Sequence, residues 1–197
     1  MDTPSRAPND VSDLEAAELA VVDAVAGGRR HPLMRLVGAI SEIADQPPLF
    51  ALCGLTTAAG FIRGDRRLLG AGVAMLVAHS LATWAKGLVK DAVNRTRPHK
   101  ALDEGRYEMR PGKSRDGNER SFPSGHTAGA VAVAVALAGS YPRAAVPAYG
   151  LAAAVAAVQV PRGKHYPTDL VAGLLIGVAA GAAGRGVLQL LRSAPVR

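Results

Sequence analysis

The stretch 158-VQVPRGKHYPTDLVAG-173 joins two apolar runs through a polar corner. Apolar residues lead up to Val160, and a longer apolar run follows from about Thr168 to Leu191. Between them come Arg162, Gly163 and Lys164, a basic residue on either side of a glycine, and then His165 and Asp169. Pro167 suits the first turn of a helix, where its missing N–H costs nothing. A helix opening there makes His165 project from just before it and Asp169 from its first turn. An aspartate at that range accepts the Nδ1–H of a histidine, which fixes the tautomer and leaves Nε2 free as a nucleophile. A histidine alone in such a place is ordinarily structural, so the rest of the chain has to decide.

The composition favours a bundle of membrane helices. About half of the 197 residues are hydrophobic (49%) but only 4% are aromatic, and glycine is abundant at 22. Small residues let helix backbones approach closely in a bilayer, where large core side chains are less needed. Mean hydropathy is a modest +0.14, but the polar residues are clustered, so the average understates the apolar runs. The net charge of +7 suits nucleic acid, an anionic membrane surface or an anionic substrate. No basic run carries interleaved aromatics, so nucleic acid is not expected as a partner. The single Cys53 lies in an apolar run and reads as a small buried hydrophobe. The polar, acidic N-terminus has no apolar core of the kind a cleavable signal peptide needs.

Residues 1–10 read as a disordered tail, 11–192 as one helical membrane domain, and 193–197 as a second tail. Within the domain, 11–45 holds two amphipathic helices suited to a membrane interface, at about Ser12–Ala26 and Pro32–Ala44. The core bundle, 47–192, follows. Its charge-poor segments run over Pro47–Ile62, Leu68–Val89, Ser124–Ser140, Ala144–Val160 and Thr168–Leu191. These lengths predict five crossings at most, or four with a re-entrant element. The fold class is therefore all-α, a membrane bundle of five to six helices; buried helices of a soluble protein are the competing reading. Short Arg-rich connections, "RGDRR" (63–67) and "YPR" (141–143), fall at one end of such a bundle, with the C-terminal segment. The 90–123 loop and the "QVPRGK" turn fall at the other.

That second end collects the chemistry. "KDAVNRTRP" (90–98) holds Lys90 and Arg97, seven apart and so on one stripe if the helix continues. "SFPSGHTAGA" (121–130) places Ser124 as a helix N-cap, with Gly125 allowing close backbone approach and His126 in the first turn. A helix N-terminus with free N–H groups is a seat for an oxyanion. Together with His165 and Asp169, the set has two histidines, a carboxylate and several cations, which suits a tetrahedral oxyanion such as phosphate. One histidine would carry the phosphoryl group and the other would protonate the leaving oxygen. No cysteine cluster, HExxH or carboxylate pair at metal spacing occurs, so no metal or other cofactor is expected.

These three clusters resemble the motifs of the type 2 phosphatidic acid phosphatase superfamily, which includes lipid phosphate phosphatases and vanadium haloperoxidases. Lys90, Arg97 and Pro98 match the first motif, Pro123–His126 the second, and His165 and Asp169 the second half of the third. The resemblance covers roughly residues 68–184. It implies His165 as nucleophile, Asp169 as its orienting acid and His126 as general acid. Lys90, Arg97, Ser124 and Gly125 would bind the phosphate, with no metal. One position departs from the family: six residues before His165, where an arginine is usual, stands Gln159, and Val158 replaces the preceding serine. Arg162 is then the candidate to supply the guanidinium, provided the preceding helix carries through the turn.

The expected protein is an integral membrane phosphatase of lipid phosphates, acting through a phosphohistidine. Polyprenyl diphosphate, phosphatidic acid and phosphatidylglycerol phosphate are the candidate substrates, and membrane lipids its other partners. The resemblance to short bacterial members implies a bacterial inner membrane, and the Arg-rich connections opposite the site turn the site outward. A lipid phosphotransferase using the same site, or a non-catalytic lipid-phosphate binder lacking the motif arginine, are the alternatives.

Overall fold

The computed structural model describes residues 11–193. The tail expected at 1–10 lies outside the described residues, as does all of the 193–197 tail except Ser193, which ends the last helix. Eight α-helices are present among the described residues, against the five to six expected. The two amphipathic segments and one helix in the long loop account for the excess.

Helix α1 (Asp13–Ala26) begins where its capping chemistry dictates. The Ser12 hydroxyl accepts from Glu15 N–H, and the Glu15 carboxylate accepts in return from Ser12 N–H at 2.9 Å. Helix α2 (Pro32–Ser41) follows and continues as a 3-10 turn over Glu42–Ala44. The core helices are α3 (Gln46–Ile62) and α4 (Arg66–Ala92), joined by a tight turn. Strand β1 (Val93–Arg95) then pairs antiparallel with β2 (Met109–Pro111), Asn94 opposite Arg110, with α5 (Pro98–Glu104) between them. The 90–123 segment is thus a folded cap and not only a loop. Helices α6 (Gly125–Ser140), α7 (Ala145–Gln159) and α8 (Pro167–Ser193) complete the chain.

Helices α4, α6 and α8 pack on one another at the centre, with α3 against α4 and α7 against α6. Close packing comes from a glycine stripe on α8. A β-carbon at Gly173, Gly177 or Gly181 would come within 2.5–2.7 Å of α6 atoms, so only glycine admits this approach. Their outward faces carry exposed Leu52, Leu55, Trp84, Leu88, Leu151, Val171 and Leu175. Two helices, Arg66–Ala92 and Pro167–Leu190, are long and apolar enough to cross a membrane; Gln46–Ile62 and Gly125–Ser140 are apolar but shorter. The helices alternate in direction, so the connections sort to two ends. Arg67 donates from Nε and Nη2 to the Ser140 carbonyl at one end. At the other, Lys86 Nζ reaches Gln46 and Ser121 Oγ reaches Asp169. The 63–67 and 141–143 connections therefore share one end, as the sequence predicts, and the three motif clusters share the opposite one.

Candidate active site

His165 is held in the corner between α7 and α8. Its N–H and that of Lys164 both point to the Gln159 carbonyl, closing the end of α7. Gly163 makes the turn at φ +65°, and its carbonyl accepts from His99 N–H at 2.8 Å. His165 is 2% exposed, with Nδ1 3.4 Å from Asp169 Oδ2, too long for a strong hydrogen bond. Burial is the main force on the ring and pushes its pKa down to about 4, against the pull of Asp169. Arg97 and Lys90 add to the downward push. The imidazole is therefore neutral at physiological pH, the state a nucleophile needs.

Asp169 is wholly buried and anchored on both oxygens. Oδ2 accepts from Ser121 Oγ (2.6 Å) and Tyr166 N–H (2.9 Å), and Oδ1 from Arg95 Nη1 (2.8 Å). Arg95, 1% exposed, joins this carboxylate to a second one: Nη2 donates to Glu18 Oε2 at 2.6 Å, and Nε to Tyr107. Its guanidinium also stacks 4.1 Å from the Tyr166 ring centroid. Burial opposes the charge on Arg95, but Asp169 and Glu18 raise its pKa above the ordinary arginine value. Glu18 in turn caps α8 from another helix. Its Oε1 accepts from Thr168 N–H (2.6 Å), one of the amides a helix start leaves unsatisfied. Helix α1 is thus docked onto the back of the site through a buried acid, and is more than an amphipathic helix at an interface.

In front of His165 opens a cavity of about 240 Å³, lined by Glu42, Asp45, Arg97, His126, Gln159, Arg162, Lys164 and His165. The two histidines predicted to act together therefore share one cavity. The α2–α3 junction brings Glu42 to both His126 and Arg162: Oε2 lies 3.2 Å from His126 Nε2, and Oε1 2.5 Å from Arg162 Nη2. Partial burial favours protonating Glu42, but Arg162 and His126 outweigh it and hold the carboxyl below its usual range. Lys164 is lowered by burial and then by Arg97 and Arg162. Arg97 is lowered by burial, with Arg162 adding to it. Three cations that disfavour one another around a polar cavity suit an anion between them.

Lys90, Ser124 and Gly125, expected at the phosphate, are not among the residues that line this cavity. The Lys90 ammonium donates to the Arg120 carbonyl at 2.5 Å. Ser124 caps α6, accepting from Thr127 N–H as the sequence implies. Gly125 faces Lys86, whose Nζ would lie 3.0 Å from a β-carbon there; Lys86 turns into the bundle and does not snorkel outward. One expectation is corrected. Lys90 and Arg97 are not two turns apart on a single helix, because α4 ends at Ala92 and strand β1 intervenes. Arg97 reaches the cavity from the N-cap position of α5.

Arg95, Glu18, Ser121, Glu42 and Asp45 are site residues that the sequence does not single out, and Lys164, there only a flanking base, joins the cavity lining. Glu18 had a signal: it lies four residues before Val22 and eight before Ala26, both fully buried on the same helical face. Glu42 had none, since its partner His126 is 84 residues away in sequence.

The PAP2 superfamily model matches residues 68–191, well over half of the chain. The lipid A 1-phosphatases of Rhizobium johnstonii and Rhizobium etli are each 37% identical to it over 90 residues. That region is 46% of this chain but only 36% and 38% of theirs, so the match spans little more than a third of each relative. Among solved structures, a transmembrane PAP2-type phosphatidylglycerolphosphate phosphatase from Bacillus subtilis superposes with a TM-score of 0.70 at 21% identity, over 95% of this chain and 91% of that one. LpxE from Aquifex aeolicus does so with a TM-score of 0.58 at 21% identity, over 91% and 98%. The shared fold is a membrane helical bundle, and in this chain the polar cavity lies at one end of it.

Proposed function

The chain belongs to the PAP2 superfamily, and from that premise we propose that it is a membrane phosphatase that removes a phosphoryl group from a lipid through a phosphohistidine. One observation carries this reading. His165, backed by Asp169, faces the same cavity as His126 and three basic side chains. His165 Nε2 attacks the phosphorus while the bond to the lipid oxygen breaks, and His126, in the protonated form that Glu42 favours against its burial, gives that oxygen a proton. As the ring becomes positive, the 3.4 Å gap to Asp169 tightens to a hydrogen bond. Water then attacks the phosphohistidine, loses its proton to His126, and phosphate leaves.

Arg97, Arg162 and Lys164 stabilise the equatorial oxygens from the cavity wall, with Lys90 and the α6 N-terminus at Ser124 and Gly125 outside that lining. These fixed positive charges supply the neutralisation that a metal ion would otherwise provide, so chelators are expected to leave the rate unchanged. The apolar outer faces of the bundle keep the lipid tail in the bilayer and present its head group at the cavity. Substrate candidates are phosphatidic acid, phosphatidylglycerol phosphate, polyprenyl diphosphate and, from the names of the Rhizobium relatives, the 1-phosphate of lipid A. The Arg-rich opposite end supports a cavity on the outer face of a bacterial inner membrane.

Phosphate release from these four lipids in detergent micelles tests the reading. Release from at least one, abolished by His165→Ala, is expected. A wild-type protein that binds them but releases nothing from any would make it a lipid-phosphate binder instead.

A further inference from the structure

Gln159 occupies the place where the family motif carries an arginine, and its carboxamide brings no charge. It is fully buried, with Nε2 donating back to the Val155 carbonyl. Arg162 reaches the same cavity from beyond the end of α7, where its N–H still bonds to the Val158 carbonyl in helical fashion. Backbone position alone does not aim so long a side chain. Helix α2 does.

At Gly38 a β-carbon would lie 2.8 Å from Arg162 Nε and 3.2 Å from Cζ, so the guanidinium rests where any other residue would project. One turn on, Ser41 Oγ donates to the Gly38 carbonyl at 2.7 Å. Its proton is thereby committed, and its lone pairs accept from Arg162 Nη1, also at 2.7 Å. Glu42 takes Nη2. Residues 38, 41 and 42 are spaced i, i+3, i+4 and so form one face of a helix. They are 120 or more positions from Arg162 in sequence, yet they engage one side of its guanidinium, which has five N–H donors. Ser41 and Glu42 take one donor each, and Arg162 lines the cavity with the others.

We propose that Gly38, Ser41 and Glu42 are positioning residues that cradle Arg162 as the phosphate-binding arginine in place of Gln159. The amphipathic helix α2 is on this account part of the active centre. The proposal rests on the phosphate-site reading above, but on binding and not on turnover. A surface ion pair that merely ties α2 to the bundle would stabilise the fold and leave phosphate affinity alone.

The test is a double-mutant cycle on the full chain in detergent, with inorganic phosphate as the probe and calorimetric affinity as the readout. Arg162→Ala is expected to weaken phosphate by about tenfold. Gly38→Val is expected to weaken it by roughly as much, and Ser41→Ala, a milder change should Gly38→Val misfold, by about threefold. In the Arg162→Ala background each is expected to weaken it by less than about twofold. Equal losses in both backgrounds, or no phosphate binding by the wild type, overturn the proposal. Lipid turnover measured on the same samples separates the two readings. Coupled binding without turnover leaves the cradle standing and removes the phosphatase, whereas turnover without coupling removes the cradle alone.

Discussion

Arg95 and Arg162 each hold a carboxylate at the same end of the bundle, one behind His165 and one in front of it. Behind, the Arg95 and Asp169 side chains are 2% and 0% exposed, and Glu18, at 5%, completes the group. In front, Arg162 is 14% exposed and its partner Glu42 47%. The two pairs use the same chemistry to different ends. A buried pair cannot exchange partners without stranding a charge in a low dielectric, so it fixes geometry. A pair at an open cavity stays partly hydrated, so it can hold the guanidinium while the cavity takes an anion at little cost. The back of the site is scaffold and the front is open to ligand.

The largest effect is expected from breaking the back pair electronically while keeping its shape. Asp169→Asn should lower phosphate release by on the order of 10³-fold, since the amide cannot hold the His165 tautomer or stabilise its positive charge. Steady-state release from micelles checks this; a fall of less than about tenfold would show that His165 does not depend on Asp169. Next, Arg95→Met strands Glu18 and Asp169 together. A stability loss of about 3–5 kcal/mol is expected in chemical unfolding, and Arg95→Lys should not rescue it because one ammonium cannot serve Tyr107, Thr168, Asp169 and Glu18 together.

How legible this arrangement is in the sequence differs between back and front. His126, His165, Asp169, Lys90 and Arg97 fall in short motifs whose local spacing carries their chemistry, and the structure brings both histidines and Arg97 to one cavity. The helix limits are nearly those of the charge-free runs, because capping residues such as Ser12 and Ser124 and helix-opening prolines mark them. Glu42 and Ser41 were not legible, since an amphipathic helix end gives no hint of a cation 120 residues away. Arg95 was passed over inside a motif already in view. It sits in a three-residue strand, and sequence periodicity does not resolve so short an element. The cap built from β1, β2 and α5 escaped for the same reason.

A third expectation concerns pH. Burial takes His165 down to about 4, from an ordinary value of 6.5. Between those values the unfolded chain binds a proton that the folded protein refuses. This contribution to stability is therefore complete above about pH 6.5 and is lost as pH falls toward 4. Unfolding midpoints followed from pH 8 to 4 should fall on the acid side, and His165→Gln should flatten part of that slope. An unchanged slope in the variant would mean that the histidine is not held neutral by the fold. The smallest effect on stability belongs to the front pair. Arg162→Ala should change unfolding free energy by less than about 1 kcal/mol while raising KM by roughly tenfold. A large stability loss with KM unchanged would erase the contrast between front and back.

Trapping the covalent intermediate tests the central claim most directly. Wild-type protein mixed with a short-chain phosphatidic acid, quenched in alkali to preserve phosphohistidine and digested for mass spectrometry, should carry one phosphoryl group on the peptide containing His165. His165→Ala should carry none and release no phosphate. A phosphoryl group found on another residue, or undiminished release by His165→Ala, would contradict the account.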